Sequence, residues 1–510
     1  MIRRFSFCLL ACLILPPSSA RAAWHEATSR HFIIYSEQNP EELKLYAERL
    51  ERFDQAVRVA RGIKDPPLND AGKLTVFVLR NGDAVEGLIG ARGSGIAGLY
   101  VAKAAGPVAL VNRERASSKF DLGSEAVFFH EYLHHLMLQQ LDMALPSWVV
   151  EGFAEFFATA RVEENGSVTL GYVPEYRSVA LFNLRGLTLE EMLGASDRHI
   201  DSEEWELTYG KGWLLAHYLT FEKSRRNQLG RYMTGIQKGE APIDAARTAF
   251  GDLKQLNKEL EAYLREKRHS GIVIPAEKLA PGAIAVRPLT AAEDAIMRVR
   301  MKSSLGFGKR YLGRIATEAR DVAGNYPNSA QVLVALAKAE LDVEHYDQAL
   351  GAANRALAIA PAQRKGMIYK GQALMELGRK DPEKANWKDI RSWFTKANRS
   401  DPDDAEPLML FYESFVAEGV PASRNSVEGL AYAHALVPQD KDLRMLLVRE
   451  LVRAGSFEAA VRIYGPIAYD PHAGDEREKR IEVVAKLKAK DGGAALTLLD
   501  GIAEKRKKDE

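Results

Sequence analysis

Cysteine is nearly absent from this 510-residue chain, and both copies, Cys8 and Cys12, stand close to the N-terminus. Were that segment removed, thiol catalysis, cysteine-ligated metals and disulfides would all be excluded. An excess of one charge is also lacking. The 70 basic and 69 acidic residues leave a formal net charge of +1, which gives no ground for binding nucleic acid or a membrane surface. Long hydrophobic runs are missing too, for beyond the N-terminus there is no stretch of about 18 uncharged apolar residues. What is present is a globular composition, 46% hydrophobic and 27% charged. A chain of this length implies about two to four domains.

Arg3 and Arg4 precede an apolar run over residues 5–15, and Ala20-Arg21-Ala22 fits a small-x-small cleavage site. This is the pattern of a secretory signal, and the apolar run is too short to span a bilayer. Cleavage after Ala22 predicts an exported chain, periplasmic or secreted, that contains no cysteine and is slightly acidic. Leu9-Leu10-Ala11-Cys12 loosely resembles a lipoprotein box, although very little apolar sequence precedes Cys12.

Residues 31–37 and 73–79 read as strands, the second alternating and rich in β-branched side chains. Between them residues 40–61 read as an amphipathic helix, because Leu43, Tyr46, Leu50, Phe53 and Val57 recur at steps of three and four. Two short strands are expected within 93–111, joined near Gly106-Pro107. The following helix has Asp121 or Ser124 as its N-cap, and Pro146 opens the next. After a loop at Asn165-Gly166-Ser167, helices are expected over 187–193, 203–221, 225–237, 243–250 and 252–267. Pro275, Pro281 and Pro288 mark a linker or short β excursion. The expected division is a signal peptide (1–22), an α+β domain with a small mixed sheet and a helical part (23–270), a linker (271–290) and an all-α domain (291–510).

His130, Glu131 and His134 form an H-E-x-x-H pattern inside the helix expected to follow Ser124. Residues four apart on a helix differ by about 40° in direction and about 6 Å in height. Both imidazoles can therefore meet one metal ion, with Glu131 beside them. A helix with satisfied histidines is the plain alternative. Glu151 offers a third ligand, since residues 135–150 allow one helix to end, a turn at Leu145-Pro146, and a second antiparallel helix. Two imidazoles and a carboxylate leave a fourth zinc position for water. Glu155 lies one helical turn beyond Glu151, where a carboxylate could take the second N–H of a ligating histidine. A surface pair is its bland reading. His135 points about 100° away from His134 and reads as packing, while His25, His31, His199 and His217 have no ligand partners in sequence.

Trp148-Val149-Val150-Glu151-Gly152-Phe153-Ala154 resembles the W-L-N-E-G-F-A stretch of the gluzincin metallopeptidases, above all the aminopeptidase N-like branch, whose glutamate ligates zinc. Val150 departs from the usual Asn, and the interval from His134 is slightly shorter than theirs. Glu155 matches the acid that thermolysin-like members carry four residues after the ligand. Tyr209-Gly210-Lys211-Gly212 resembles their Y-x-K-G segment, whose tyrosine stabilises the oxyanion. A core or capping tyrosine is the alternative. The resemblance covers about residues 24–267. It implies a zincin-like domain with one zinc ion held by His130, His134 and Glu151, and peptide hydrolysis with Glu131 as general base. The G-x-M-E-N segment that holds a substrate's free amine has no counterpart, because residues 95–112 contain no acid. The expectation is therefore an endopeptidase, with an extended peptide added to a sheet edge.

Beyond residue 330 a pattern recurs. Ala349, Ala353, Ala356 and Pro361 stand at steps of 4, 3 and 5, as do Ile390, Phe394, Ala397 and Pro402, and Ala459, Ile463, Pro466 and Pro471. Leu430, Ala433 and Pro438 repeat the last two steps. This resembles the tetratricopeptide repeat over about residues 311–510, with Gly371 at a small first-helix position. It implies a concave surface recruiting a substrate or protein partner. Two functions are carried forward: a zinc metallopeptidase acting on peptide or protein, and a non-catalytic scaffold that binds through its repeats beside a degenerate zincin domain. Neither involves nucleic acid or, after signal cleavage, an integral membrane segment.

Overall fold

The computed structural model describes residues 24–509 apart from 67, 95, 97, 141–144, 183–185, 195–201, 307–308 and 471–475. The expected signal segment with Arg3, Arg4, Cys8 and Cys12 lies outside the described residues, as do Gly95, His199 and Pro471.

The strands are β1 (His25–Thr28), β2 (Phe32–Ser36), β3 (Leu74–Leu79), β4 (Gly98–Val101), β5 (Val108–Asn112), β6 (Arg161–Val162), β7 (Val168–Leu170), β8 (Ile272–Ile274) and β9 (Ala285–Pro288). Six of them form a mixed sheet in the order β4-β5-β3-β2-β1-β9, and β6-β7-β8 form a small second sheet. The pairs β2–β3 and β3–β5 are parallel, with Phe32 opposite Leu74 and Thr75 opposite Val108. A parallel pair needs a crossover, and α1 (Pro40–Arg61) supplies the one between β2 and β3. Asn39 caps its start by accepting from Glu42 N, and Gly62 ends it at φ 63°.

Alternation along the central strands divides the core in two. Ile34, Val76, Val78 and Val111 face α1 and the helices that follow the sheet. Tyr35, Phe77, Leu79 and Leu110 face the other way, toward Val85 of α2 (Gly82–Ile89) and Met297, Met301 and Leu305. The last three lie on α11 (Ala291–Leu305), the first helix of the segment expected to be a separate domain. Residues 271–290 depart from a free linker, since they contribute β8 to one sheet and β9 to the edge of the other. The reason is that the β1 edge and the outer sheet face would otherwise present unpaired backbone and bare aromatic rings.

The helices after the sheet are α3 (Ser124–Gln140), α4 (Ser147–Ala158), α5 (Ser178–Phe182), α6 (Leu189–Gly194), α7 (Ser202–Phe221), α8 (Gln228–Gln237), α9 (Pro242–Phe250) and α10 (Leu253–Leu264). From α11 onward only helices follow: α12 (Lys309–Asn325), α13 (Ala330–Asp342), α14 (Tyr346–Ile359), α15 (Arg364–Lys380), α16 (Trp387–Ser400), α17 (Ala405–Glu418), α18 (Arg424–Leu436), α19 (Lys441–Arg453), α20 (Phe457–Ala468), α21 (Arg477–Lys488) and α22 (Gly492–Asp509). Each packs on its sequence neighbours, a tetratricopeptide-like helical repeat. The residues of the recurring pattern form the seams: Ala349, Ala353, Ala356, Ala397 and Ala433, with the larger Phe394, are all fully buried. Gly371 has a physical reason, since a Cβ there would lie 2.7 Å from the Phe394 ring. In α20 the seam passes through Ala460 and Ile463, one residue away from the expected Ala459. Among the described residues no helix is long and apolar enough to cross a membrane.

A buried charge network holds α1 to the sheet and to α3. His31 Nδ1 lies 2.7 Å from Glu51 Oε2, and its Nε2 lies 2.8 Å from Asp65 Oδ1. Asp54 accepts from Arg58 Nε at 2.8 Å and from the Tyr132 hydroxyl of α3 at 2.7 Å. Carboxylates at both ring nitrogens require an imidazolium. Burial acts against that charge, but Glu51, Asp54 and Asp65 outweigh it and raise the His31 pKa. Replacing His31 with Leu should strand Glu51 and cost about 3–5 kcal/mol in urea unfolding at pH 6. The stability His31 adds is fully present below its unfolded pKa of about 6.5. It is lost as pH rises through the raised folded value, so the gap between wild type and variant should narrow in alkali.

Candidate metal centre

One face of α3 is spoken for by the core. Phe128, Phe129, Tyr132, Leu133 and Leu136 are buried there, and Phe129 stacks on Phe53 of α1 with ring centroids 3.7 Å apart. The 3.6-residue period then leaves His130, Glu131 and His134 on the opposite, partly open side. Pro146 starts α4, and Trp148 anchors it by giving its indole N–H to the Tyr232 hydroxyl at 3.1 Å. This sets Glu151, fully buried, against the two histidines.

The approach of α7 to α4 is closer than side chains allow. A Cβ on Gly152 would lie 2.5 Å from Gly212 O, and one on Gly212 would lie 3.2 Å from Trp148 O. Glycine at both places lets the two backbones touch, bringing Tyr209 of α7 to the α3–α4 pair. Its ring centroid is 5.8 Å from that of His130.

His130 Nε2 is 3.2 Å and His134 Nε2 3.5 Å from Glu151 Oε2. One donor atom from each of the three residues lies within 4.8 Å of the others. His130 turns its Nδ1 to Glu155 Oε1 at 3.3 Å, which fixes the ring with Nε2 toward the cluster. His134 Nε2 is buried without a hydrogen-bond partner. Two imidazole nitrogens and a carboxylate, one nitrogen making no hydrogen bond, fit the ligand set of a hydrolytic zinc ion. Burial opposes charge on His130, yet Glu151 and Glu155 hold its pKa up to about 10. The field that favours a proton there equally favours a divalent cation that displaces it. Glu131 lines the adjoining cavity with His134, Val150 and Glu151. All six residues expected from the sequence (His130, Glu131, His134, Glu151, Glu155 and Tyr209) are thus gathered around one point or its flank.

Two residues had no signal in the sequence pattern. Arg177 donates to Glu155 Oε1 at 2.8 Å and to Glu206 Oε2 at 2.7 Å, and its guanidinium lies 4.4 Å from the centroid of the Tyr209 ring. Tyr176 gives its hydroxyl to Glu155 Oε2 at 2.9 Å. Burial pushes the Glu155 pKa up, but His130 and Arg177 prevail and hold it at about 2. Burial, followed by the charge of Glu151, raises the Tyr209 phenol above its ordinary range, so it stands as a proton donor. His135, on the far side of α3, meets the Tyr100 hydroxyl at 2.5 Å and Gln139 Nε2 at 3.0 Å, and takes no part in the cluster.

A family model described as a protein of unknown function (DUF1570) matches residues 124–243. That span holds all six site residues together with Arg177. No curated protein matches the chain. Similarity to solved structures includes TTC0263, a thermophilic TPR protein of Thermus thermophilus, at 18% identity, with 38% of this chain and 98% of that one covered and a TM-score of 0.33. MamA of Desulfovibrio magneticus RS-1 is 17% identical over 36% of this chain and 99% of that one, with a TM-score of 0.27. Yeast Tom70 is 13% identical over 59% and 64%, with a TM-score of 0.23. At these scores the likeness says nothing of activity.

Replacing Gly152 or Gly212 with Ala should force α4 and α7 apart and cost about 1–3 kcal/mol in urea unfolding. Gly87→Ala in α2, where nothing lies within 4 Å of the added Cβ, is the control and should be neutral or slightly stabilising.

Proposed function

We propose that the chain is an exported zinc-dependent endopeptidase of gluzincin type, with His130, His134 and Glu151 as the residues that would hold one zinc ion. The observation that carries this reading is the convergence of the two Nε2 atoms on Glu151, with His130 oriented by Glu155 and His134 Nε2 left unbonded in a buried position. A zinc ion bound there would lower the pKa of a water toward about 7 and polarise a substrate carbonyl. Glu131 takes a proton from water as it adds to the carbonyl carbon, then hands that proton to the departing amine. The Tyr209 phenol donates to the oxygen that becomes negative. Glu155, Tyr176 and Arg177 keep His130 in one orientation, so the ligand geometry need not reorganise during the reaction.

The outermost strand β4 runs along α3, with Tyr100 and Val101 in the wall of the cavity that also contains Glu131. An extended peptide could pair with that edge and bring an internal bond to Glu131. The lack of acidic residues in 95–112 argues against capture of a free amine.

The second reading is a binding protein whose metal centre is not catalytic. The observation that favours it is the same cavity, most of whose lining comes from the helical repeats.

Digestion of a peptide library with and without a chelator separates the two readings. Glu131→Gln should keep one zinc per chain, measured by elemental analysis, and lose about 10²–10⁴-fold in hydrolysis. Undiminished cleavage by that variant would eliminate the peptidase mechanism. Glu155→Ala should weaken zinc binding about 10–100-fold, read by competition with a chelating dye.

A further inference from the structure

The cavity beside the metal centre, about 1480 Å³, is built by both halves of the chain. One wall carries Glu131, His134 and Glu151. The facing wall belongs to α17, α19 and the residues just before α19. Direct bonds fix the two walls to each other. Asp440 Oδ2 accepts from Ala104 N at 2.5 Å, Lys365 Nζ donates to Ala105 O at 3.0 Å, and Gln439 Nε2 lies 3.2 Å from His135 Nδ1.

The basic groups around the repeat wall are engaged by carboxylates of their own. Lys441 pairs with Asp470, Arg449 with Asp500 at 2.9 Å, and Lys365 with Glu406 at 2.5 Å. Glu413 of α17 is partly buried on the cavity and has no such partner. The basic group that acts on it, Arg379, is itself turned to Glu376 at 3.6 Å. Asp440 takes its hydrogen bonds from neutral backbone donors of Ala104, Asp442 and Leu443, while Lys103 on the opposite wall attracts it through space. Burial, then the charges of Glu376, Asp442 and Asp440, push the Glu413 carboxyl up to about 7 against the pull of Arg379. A second observation is independent of charge. Gln439 is only 5% exposed and lines the same cavity, yet its Oε1 has no hydrogen-bond partner. This wall therefore holds more acceptors than donors.

A group with several N–H donors and a positive charge would meet that surplus. A second metal ion fits less well. Among the described residues, the only groups of three or more ligand side chains close enough to share an ion are the centre itself and the His31, Glu51 and Asp54 set. Glu413, Asp440 and Gln439 line one cavity, which suits a long cationic side chain that reaches several acceptors at once.

We propose that the repeat wall, with Glu413 at its focus, is a subsite for a lysine or arginine side chain of the peptide whose backbone lies at the metal centre. This rests on the peptidase reading for the position of the backbone, but not for the charge preference. The repeats then act as part of the substrate cleft itself, selecting basic peptides.

The test uses the full-length Glu131→Gln protein loaded with zinc and titrated with fluorescent peptides that differ in one residue, Lys or Arg against norleucine or Glu. Basic peptides should bind about tenfold tighter than the norleucine analogue, as expected of a hydrogen-bonded charge pair. Adding Glu413→Gln should remove that preference while leaving norleucine peptides unaffected, and Glu413→Lys should turn it toward Glu peptides. Equal binding of basic and neutral peptides, or a preference that survives Glu413→Gln, would overturn the subsite. Hydrolysis of the norleucine peptide by wild type is scored separately. Cleavage without charge preference defeats the subsite alone, and charge preference without cleavage defeats the peptidase reading alone.

Discussion

Backbone contact between Gly152 and Gly212 sets the distance on which the rest of the centre depends. A metal site tolerates errors of only about 0.2 Å in ligand position, and a methyl group at either glycine would move a helix by more than that. Trp148 and Trp213, both fully buried, flank the contact and keep α4 and α7 from sliding. A similar close approach, Gly210 to Ala180 with 2.8 Å for an added Cβ, seats α5 and with it the turn carrying Tyr176 and Arg177. Two crossings made possible by glycine thus bring together side chains from three separate stretches of the chain.

Electrostatics then divides two clusters of histidine and carboxylate. His130, His134 and Glu151 are two histidines and one acid on a partly open face, whereas His31, Glu51 and Asp54 are one histidine and two acids, all buried. Around His31 both ring nitrogens meet carboxylates and Arg58 balances Asp54, so the charges satisfy one another and the network stiffens the fold. Around His130 the Nδ1 side is satisfied by Glu155, while the Nε2 side converges with His134 on one carboxylate oxygen. Burying charge is costly unless it is paired, and under the proposed function a divalent cation would offset that cost here.

The two halves do not behave as beads on a string. β9 closes the sheet, α11 covers Tyr35 and Phe77, and Asp440 of the repeats holds the backbone at Ala104 beside β4. The cavity between the His130, His134 and Glu151 cluster and the repeat surface keeps its shape only if both walls are fixed to each other, and these contacts fix them. That makes the helical repeat an architectural part of the surroundings of the cluster.

Much was legible in local pattern, and the physical reason is that local pattern reports local geometry. The 3.6-residue spacing of His130 and His134, the alternation of residues 73–79 and the recurring spacing of the repeat seams each depend on a few consecutive residues. The motifs holding Glu151 and Tyr209 were readable as resemblance, although the reason for Gly152 and Gly212 within them was not. What tertiary structure alone decided is everything that needs distant segments to meet. Arg177 is an ordinary exposed-looking arginine until α5 and α7 pack; the 271–290 stretch looks like a linker until β1 needs a partner; Glu413 looks like one more helix-surface acid until α17 faces the metal centre. Sequence spacing determines which face of an element a side chain takes. Which face meets which is decided by burial of apolar area and pairing of charge across the whole chain.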